Sequence, residues 1–403
     1  MLFVAVILLV IGLIHLYLWK RLVHDTLRPG TARRIGTAII VALGVLVPVT
    51  LIGVRNGYVQ WLSWPGYLWV ALMFYLLVTL AALEIPRLLA TRLWARPKEP
   101  EPEQGPGTQP EPKPERAPGT QPEPAPETPA IERRLVLARG AAIFAGLTAA
   151  GITGYGVRTA TGPPRIDRFT MPMRKLPRAM DGTRIAVVSD IHIGPLTGVD
   201  HARRITRVIN SVNADLVCVV GDMVDGTVAQ LGRFAAPLAE IESRRGTFFV
   251  TGNHEYYSGY AEWIDEVAEL GMRPLRNERV EIAGLDLAGV NDLGGAEHGD
   301  APDFARALGD RDPARPVVLM AHQPVAARDA APFGVDLQIS GHTHGGQMAP
   351  FNLLVRLEQP VVSGFGNVDG VPVYVTNGAG YWGPPVRVGA PPQVTVIELR
   401  AEN

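Results

Sequence analysis

The sequence is poor in cysteine, and Cys218 is the single one among its 403 residues. One cysteine cannot form a disulfide within the chain, so a disulfide-stabilised scaffold is excluded. A structural zinc site built from several thiolates is excluded for the same reason. Because Cys218 lies in the apolar run Leu216–Val220, we expect it to be buried as a small hydrophobic side chain.

The chain also lacks an excess of either charge. Its 38 Lys and Arg are balanced by 39 Asp and Glu, which leaves a formal net charge of −1. A general nucleic-acid binder would carry a basic excess, so we expect no nucleic-acid partner. The length of the chain allows two or three domains with a sizeable core.

Apolar residues, by contrast, are abundant near the start of the chain. Three segments, Leu2–Trp19, 35–54 and 66–85, each have about the 20 residues that a helix needs to cross a bilayer. Within them only His15 and Glu84 carry an imidazole or an acidic side chain. We predict three transmembrane helices, and we expect the first to remain uncleaved because no basic region precedes it.

A fourth apolar segment, residues 140–157, is weaker and is rich in Gly, Ala and Thr, which is typical of closely packed membrane helices. The loops after the first and third segments are basic, whereas Arg55 is the single basic residue between the second and third. Because basic loops remain in the cytoplasm, we predict that the chain starts outside and that the fourth helix exits again. The remaining C-terminal residues would then form an extracytoplasmic domain of a multi-pass cell-membrane protein.

Composition divides the chain into four predicted parts. Residues 1–96 form a membrane domain. Residues 97–135 are rich in Pro and Glu and repeat the sequence Pro-Gly-Thr-Gln-Pro-Glu-Pro. Such a segment cannot bury a core, so we predict an extended linker there. Residues 136–160 contain the fourth transmembrane helix, and residues 165–403 form a globular domain.

Strands and helices alternate in this globular domain, which predicts an α/β (α+β) fold with more strand than helix toward the end. Short β-branched and apolar runs predict strands at 184–189, Leu216–Val220, Thr247–Val250, 280–282, 285–288, Val317–Met320, 337–339, Val371–Val375 and 393–399. Amphipathic stretches predict helices at 201–210, 231–243 and 260–270.

Five short motifs each follow a predicted strand, and they contain five of the nine histidines of the chain. They are Asp190-Ile191-His192, Gly221-Asp222 with Asp225, Gly252-Asn253-His254-Glu255, His322 and Gly341-His342-Thr343-His344. Because ligands of α/β sheets bind beyond the carboxyl ends of the strands, we expect these motifs to converge on one site. Oxygen and imidazole donors together suit divalent Mn, Fe, Co or Zn.

The order of these motifs resembles that of the calcineurin-like metallophosphoesterase superfamily. The branch that it resembles is the membrane-associated, YkuE-like one, because Gly345-Gly346-Gln347 continues the last motif and a Gly-x-Pro-x-Arg stretch occupies residues 383–387. The resemblance covers about residue 167 to the C-terminus. It implies a β-sandwich flanked by helices, which transmembrane helices precede in this chain.

The resemblance also implies two divalent metal ions. Its pattern assigns Asp190, His192, Asp222 and His344 to the first ion. It assigns Asp222, as a bridge, together with Asn253, His322 and His342 to the second. A water shared by two such ions is expected to lose its proton near neutral pH and to attack the phosphorus of a phosphoester.

His254 is next to a ligand position but is not needed as a ligand. We expect it to protonate the leaving oxygen. Asp225 would orient it, as carboxylates do for imidazoles near metals. A purely structural role for Glu255 stays open. Two roles stay open for Tyr381 and Trp382. They could form an apolar lip over the site, or they could anchor the packing of the domain.

We therefore expect a membrane-anchored hydrolase of phosphate esters or diphosphates. Because tethering raises the effective concentration toward other membrane components, lipid-linked or envelope substrates are the expected class. Two other classes remain open. One is a membrane sensor or scaffold with a metal-binding but weakly catalytic domain, and the other is a transporter with an accessory domain. Few polar residues lie within the apolar segments, which disfavours the transporter.

Overall fold

The structure is a computed structural model that describes residues 2–94 and 129–402. Four long helices contain the four apolar segments, and each is long and apolar enough to cross a membrane. They are α1 (Leu2–Trp19), α2 (Thr31–Arg55), α3 (Ser63–Trp94) and α4 (Pro129–Thr161). Most of the predicted linker, residues 97–135, lies outside the described residues. Helix α4 begins at Pro129, so the end of that segment is helical.

The chain divides into two compact units. The first comprises Met1–Val45 and Leu72–Ala150. Within it, the carboxylate of Glu84 pairs with Arg21 at 2.7 Å and accepts a hydrogen bond from the Tyr17 hydroxyl at 3.1 Å. The acidic side chain that the sequence places in an apolar segment is therefore paired, as expected for a carboxylate near a membrane.

The second unit comprises Leu46–Ala71 and Gly151–Asn403, and it contains two six-stranded sheets. The first sheet has the order β1-β12-β2-β3-β4-β5 and the second β10-β11-β9-β8-β7-β6. The strands are β1 (Arg165–Met173), β2 (Arg184–Val188), β3 (Leu216–Val220), β4 (Thr247–Val250), β5 (Arg273–Pro274), β6 (Glu278–Ile282), β7 (Leu285–Gly289), β8 (Val317–Met320), β9 (Leu337–Ser340), β10 (Gly364–Val368), β11 (Val371–Val375) and β12 (Gln393–Ala401).

The two sheets pack face to face around a buried apolar core. Alternate residues of β3 show why: Cys218 points into the core between the sheets, whereas Val217 and Val219 face the helices on the outer side of the first sheet. The remaining helices are α5 (Val199–Ser211), α6 (Val228–Ala235), α7 (Asn253–Tyr257), α8 (Tyr260–Glu269), α9 (Phe304–Leu308), α10 (Ala327–Ala330) and α11 (Asn352–Val355). The predicted helix-flanked β-sandwich is confirmed, as is the burial of Cys218.

The strands β5 and β10 and several short helices were not predicted, and two further elements differ from the prediction for local reasons. The predicted helix 231–243 is α6 followed by a 3₁₀ turn at Ala236–Glu240, because Pro237 cannot continue an α-helix. Strand β1 was not predicted. It pairs in parallel with β12, but its residues are mostly exposed or half-buried, so it lacks the continuous apolar run of a central strand.

Candidate metal centre

The predicted site residues lie at the carboxyl ends of five strands. In the first sheet, β2, β3 and β4 are parallel, so the residues that follow them emerge at one edge. In the second sheet, β8 and β9 are parallel, so the residues that follow these two strands also emerge at one edge. The residues brought together are Asp190, His192, Asp222, Asp225, Asn253, His254, His322, His342 and His344.

A first group of donors consists of Asp190, His192 and His344. The Nε2 atoms of His192 and His344 lie 3.0 Å apart. The Oδ1 atom of Asp190 lies 3.3 Å from Nε2 of His344. Asp190 is fully buried, and its carboxylate also accepts the backbone N–H of His342. One ligand-type atom from each of the three side chains thus lies close to the other two, as in a metal site.

A second group consists of Asp222, His322 and His342. The Oδ2 atom of Asp222 lies 3.1 Å from Nε2 of His322 and 3.9 Å from Nε2 of His192 in the first group. The Oδ1 atom of Asn253 lies 3.1 Å from Nδ1 of His342. Asp222 therefore lies between the two groups, where the family pattern predicts a bridging ligand.

The chemistry of the second group fits a divalent cation. His322 donates Nδ1–H to the carbonyl oxygen of Val220 at 2.7 Å, so its buried Nε2 is the ring atom that faces Oδ2 of Asp222. Burial alone would lower the pKa of His322, yet the carboxylates of Asp222 and Asp190 raise it well above its usual value. The negative potential of these carboxylates, which favours a proton on His322, also favours a cation bound beside it.

The neighbouring imidazoles are held in their neutral form. Burial and the nearby His322 lower the pKa of His342 to about 3. Burial, followed by the guanidinium of Arg387, lowers the pKa of His344 well below its usual value. Neutral imidazole is the form that binds metals, so both side chains are prepared for that role.

His254 and Asp225 form a close pair beside the first group. Nδ1–H of His254 donates to Oδ1 of Asp225 at 2.6 Å, and Nδ1–H of His192 donates to the same oxygen at 2.9 Å. Burial opposes protonation of His254, but the carboxylates of Asp222 and Asp225 raise its pKa to about 9. His254 therefore carries a proton at neutral pH, which a leaving oxygen requires from a general acid.

The backbone is left-handed at three of the ligand-bearing turns, those after β2, β3 and β9. Five side-chain-bearing residues have a left-handed backbone, with φ between 49° and 69°: Asp190, His192, Asp222, His342 and His344. Such conformations are costly for residues other than glycine and cluster at functional sites. A Cβ on Gly341 or Gly378 would overlap Asp190, so glycine is required at both positions.

Two residues that the sequence did not assign to the site support it. Glu255 is fully buried and accepts three backbone N–H groups, from Gly252, Asp222 and Met223, at 2.6–2.9 Å. It joins the turn after β3 to the turn after β4. These contacts favour the structural role that stayed open for Glu255.

Arg387 is the second such residue. Its guanidinium is fully buried and donates to carbonyl oxygens of Gly380, Asn377, Ala390 and His344, the last at 2.7 Å. It also lies 3.1 Å from Nδ1 of the His344 ring. The sequence marked Arg387 only as part of the Gly-x-Pro-x-Arg stretch, and that stretch was the one signal that could have identified it.

Tyr381 and Trp382 differ in their environments. Tyr381 is buried, packs on His201 and donates its hydroxyl to the carbonyl oxygen of Leu196 at 3.3 Å, so it is a packing anchor. Trp382 is 57% exposed, and its ring centroid lies 5.7 Å from that of His254. Trp382 alone therefore lies at the rim of the site.

Comparisons with known proteins agree with this geometry. The sequence profile of the family described as calcineurin-like phosphoesterase matches residues 183–346. A "Transmembrane protein with metallophosphoesterase domain" from Danio rerio is 35% identical over 260 residues, which cover 61% of this chain and 60% of that protein. The present chain therefore spans about three fifths of the length of this relative.

Two bacterial relatives are matched over nearly their whole length. An uncharacterized metallophosphoesterase of Aquifex aeolicus is 35% identical over 246 residues, which cover 59% of this chain and 93% of that protein. The uncharacterized metallophosphoesterase YkuE of Bacillus subtilis is 27% identical over 283 residues, which cover 66% of this chain and 95% of that protein. The first match supports the family, and the second supports the branch that the motifs resemble.

Proposed function

Because this chain belongs to the calcineurin-like phosphoesterase family, we propose that it hydrolyses phosphate esters or phosphoanhydrides at a dinuclear metal centre. The observation that carries this proposal is the position of Asp222, whose Oδ2 lies 3.1 Å from His322 in one donor group and 3.9 Å from His192 in the other. A carboxylate in that position is able to serve two cations.

Each residue has a distinct part in this proposal. Asp190, His192, Asp222 and His344 would hold one divalent cation, and Asp222, Asn253, His322 and His342 the other. When bound, two such cations supply neutralisation of phosphoryl charge and activation of water. His254 gives its proton to the leaving oxygen, and Asp225 holds the imidazole in the orientation for this transfer.

The proposal includes a multi-pass membrane anchor with the sandwich outside the cytoplasm. Four apolar helices support the anchor. The orientation is supported by contacts within the second unit: Gly383 lies against Tyr67 near the start of α3, and Arg387 donates its backbone N–H to Gly156 near the end of α4. These helix ends are the ones that the charge pattern places outside.

The first experiment is metal-dependent turnover of a soluble aryl phosphate by the full-length protein in detergent. We expect activity with Mn, Co or Zn, and we expect chelation to abolish it. Asp222→Asn should reduce activity most, because this carboxylate would contact both cations. Asp200→Asn is the matched control, since that carboxylate is 85% exposed. Activity that survives chelation, or an absence of turnover with every metal, would contradict the proposal.

The substrates proposed are lipid-linked or envelope phosphoesters or diphosphates, because the sandwich follows a membrane helix directly. The test uses full-length protein in vesicles, with a phospholipid substrate either in the same vesicles or in separate ones. Turnover should be faster in the same membrane, since tethering raises the effective concentration there. Equal rates, or no turnover of lipid beside turnover of aryl phosphate, would remove the lipid part of the proposal.

A further inference from the structure

A short apolar segment is exposed on the sandwich directly after the last metal-site motif. Helix α11 and the turn behind it carry Leu353, Leu354 and Leu357, whose exposed fractions are 58%, 57% and 84%. We call these three residues the leucine patch. Clustered exposed leucines are unfavourable in water and mark surfaces that contact another apolar phase.

The segment that precedes the leucine patch lies on the side of the sandwich that contacts the end of α4. The preceding segment is hydrogen-bonded to residue 388: Ala349 donates its N–H to the Val388 carbonyl at 2.9 Å, and Val388 donates to Gln347 at 2.9 Å. The adjacent residue, Arg387, donates its N–H to the carbonyl oxygen of Gly156 in α4 at 3.0 Å. One strand-like segment thus separates the patch from the helix end.

This face has little freedom to leave the membrane. Helix α4 ends at Thr161 and β1 begins at Arg165, with three residues between them. Even fully extended, this connection reaches only about 14 Å. With α4 spanning the bilayer as proposed, a sandwich held so closely would present that face to the lipid surface rather than to bulk water.

Aromatic side chains also lie near the start of α3, which is a second helix end that the sandwich contacts. Trp61 and Trp64, at the turn before and the start of α3, are 76% and 42% exposed, and such side chains favour the bilayer interface. Tyr67, one turn further along α3, lies against Gly383. Gly383 follows Trp382, the residue at the rim of the metal centre.

We propose that the leucine patch inserts into the interface of the bilayer on the side of the sandwich. Arg356 lies between Leu354 and Leu357 in sequence and is exposed, so its guanidinium is available to anionic lipid headgroups at the boundary. The partner is the lipid surface itself, because the same face holds the end of α4. A second copy of the chain would have to displace that surface.

Docking of the patch would hold the metal centre at the headgroup layer. The patch continues the chain from His344, and Gln347 between them donates its side-chain amide to the Trp382 carbonyl at 2.8 Å. A displacement of the docked segment would therefore also displace Trp382 at the rim of the metal centre. The proposal concerns a physical contact with lipid and holds whether or not the centre is active.

The test is spin-label depth measurement on the full-length protein in phosphatidylethanolamine and phosphatidylglycerol vesicles. The native Cys218 is fully buried, so a new surface cysteine is the reactive one. Labels are attached to Leu354→Cys and, independently, to Leu357→Cys. The control is Glu242→Cys, an exposed position before the amino end of β4 and hence at the opposite edge of the sheet from the metal centre.

We expect the ratio of collisions with oxygen to collisions with an aqueous nickel chelate to be several-fold higher at 354 and 357 than at 242, since oxygen concentrates in the bilayer. Equal ratios would overturn the proposal, because they place the patch in water. Exclusion of both reagents would also overturn it and would indicate a protein partner or a second copy. The measurement needs no turnover, so a failed phosphoesterase assay and a failed docking test remain distinguishable.

Discussion

At the scale of single residues, the carboxylate of Asp225 connects two functions. Its Oδ1 atom accepts Nδ1–H of both His254 and His192, at 2.6 and 2.9 Å. Burial would raise the pKa of Asp225, but these two imidazoles hold it below its usual value, so the carboxylate stays ionised. One oxygen thus orients a proposed metal ligand and a proposed proton donor.

The first prediction separates these two functions. His254→Ala should keep the metal content of the full-length protein but lower turnover of an aryl phosphate by roughly 10²–10⁴-fold, the range for loss of a general acid. The reason is that the first donor group consists of Asp190, His192 and His344, so removal of the His254 ring leaves these donors in place. Metal content and turnover are measured on the same preparation.

Asp225→Asn is the contrasting variant, because it alters the partner of both imidazoles. It should also weaken metal affinity, by about 10–100-fold, since carboxylates that orient ligating imidazoles have effects of this size. If His254→Ala lost its metal together with its activity, His254 would be a ligand, and the role proposed for it would be wrong.

At the scale of elements, the end of α4 packs closely against the segment that carries Arg387. A Cβ on Gly156 would overlap the Val386 side chain and crowd Val388. Glycine at 156 therefore permits the close approach of helix and segment. Since the guanidinium of Arg387 holds the carbonyl oxygen of His344, the helix end supports the metal centre through one intermediate residue.

The second prediction tests this support. Gly156→Val should displace the 386–388 segment and destabilise the sandwich, because overpacking costs ~1–3 kcal/mol. The thermal unfolding temperature and the metal affinity of the full-length protein should both fall. Gly154→Val is the matched control, since a Cβ at position 154 has no atom within 4 Å.

The comparison between the two glycine variants decides the outcome. Equal unfolding temperatures and equal metal affinities would mean that the helix end does not position Arg387. A loss of stability in Gly156→Val with normal metal affinity would limit the contact to anchoring of the domain.

At the scale of the whole molecule, the grouping of helix ends bears on topology. The turn between α2 and α3 and the last part of α4 belong to the same compact unit as the sandwich. The basic segments lie at the opposite ends of these helices in sequence. Both facts are what an extracytoplasmic sandwich requires, because basic loops stay in the cytoplasm.

The third prediction follows from this topology. A reporter fused after Asn403 should be active outside the cytoplasm, and a reporter inserted within residues 97–130 should be active inside it. The physical reason is the excess of Lys and Arg after the first and third apolar segments. Cytoplasmic signals from both positions would mean that α4 does not span, and the proposed orientation would then be wrong.

Local patterns in the sequence determined most of the strands and the identity of the proposed ligands. Strand β3, for example, occupies the apolar run Leu216–Val220, and Asp222 follows it as predicted. The reason is that strand formation depends on neighbouring residues, and the carboxyl end of a strand is fixed once the strand is known. The resemblance to a known family added the expected grouping of donors.

Contacts between distant parts of the chain were decided by the tertiary structure alone. His192 and His344 are separated by 152 positions, yet their Nε2 atoms lie 3.0 Å apart. The second hydrogen bond of Asp225, the cradle that Glu255 forms and the burial of Arg387 and Tyr381 depend on such contacts. No local periodicity encodes them, because each requires the packing of two sheets to bring separate turns to one edge.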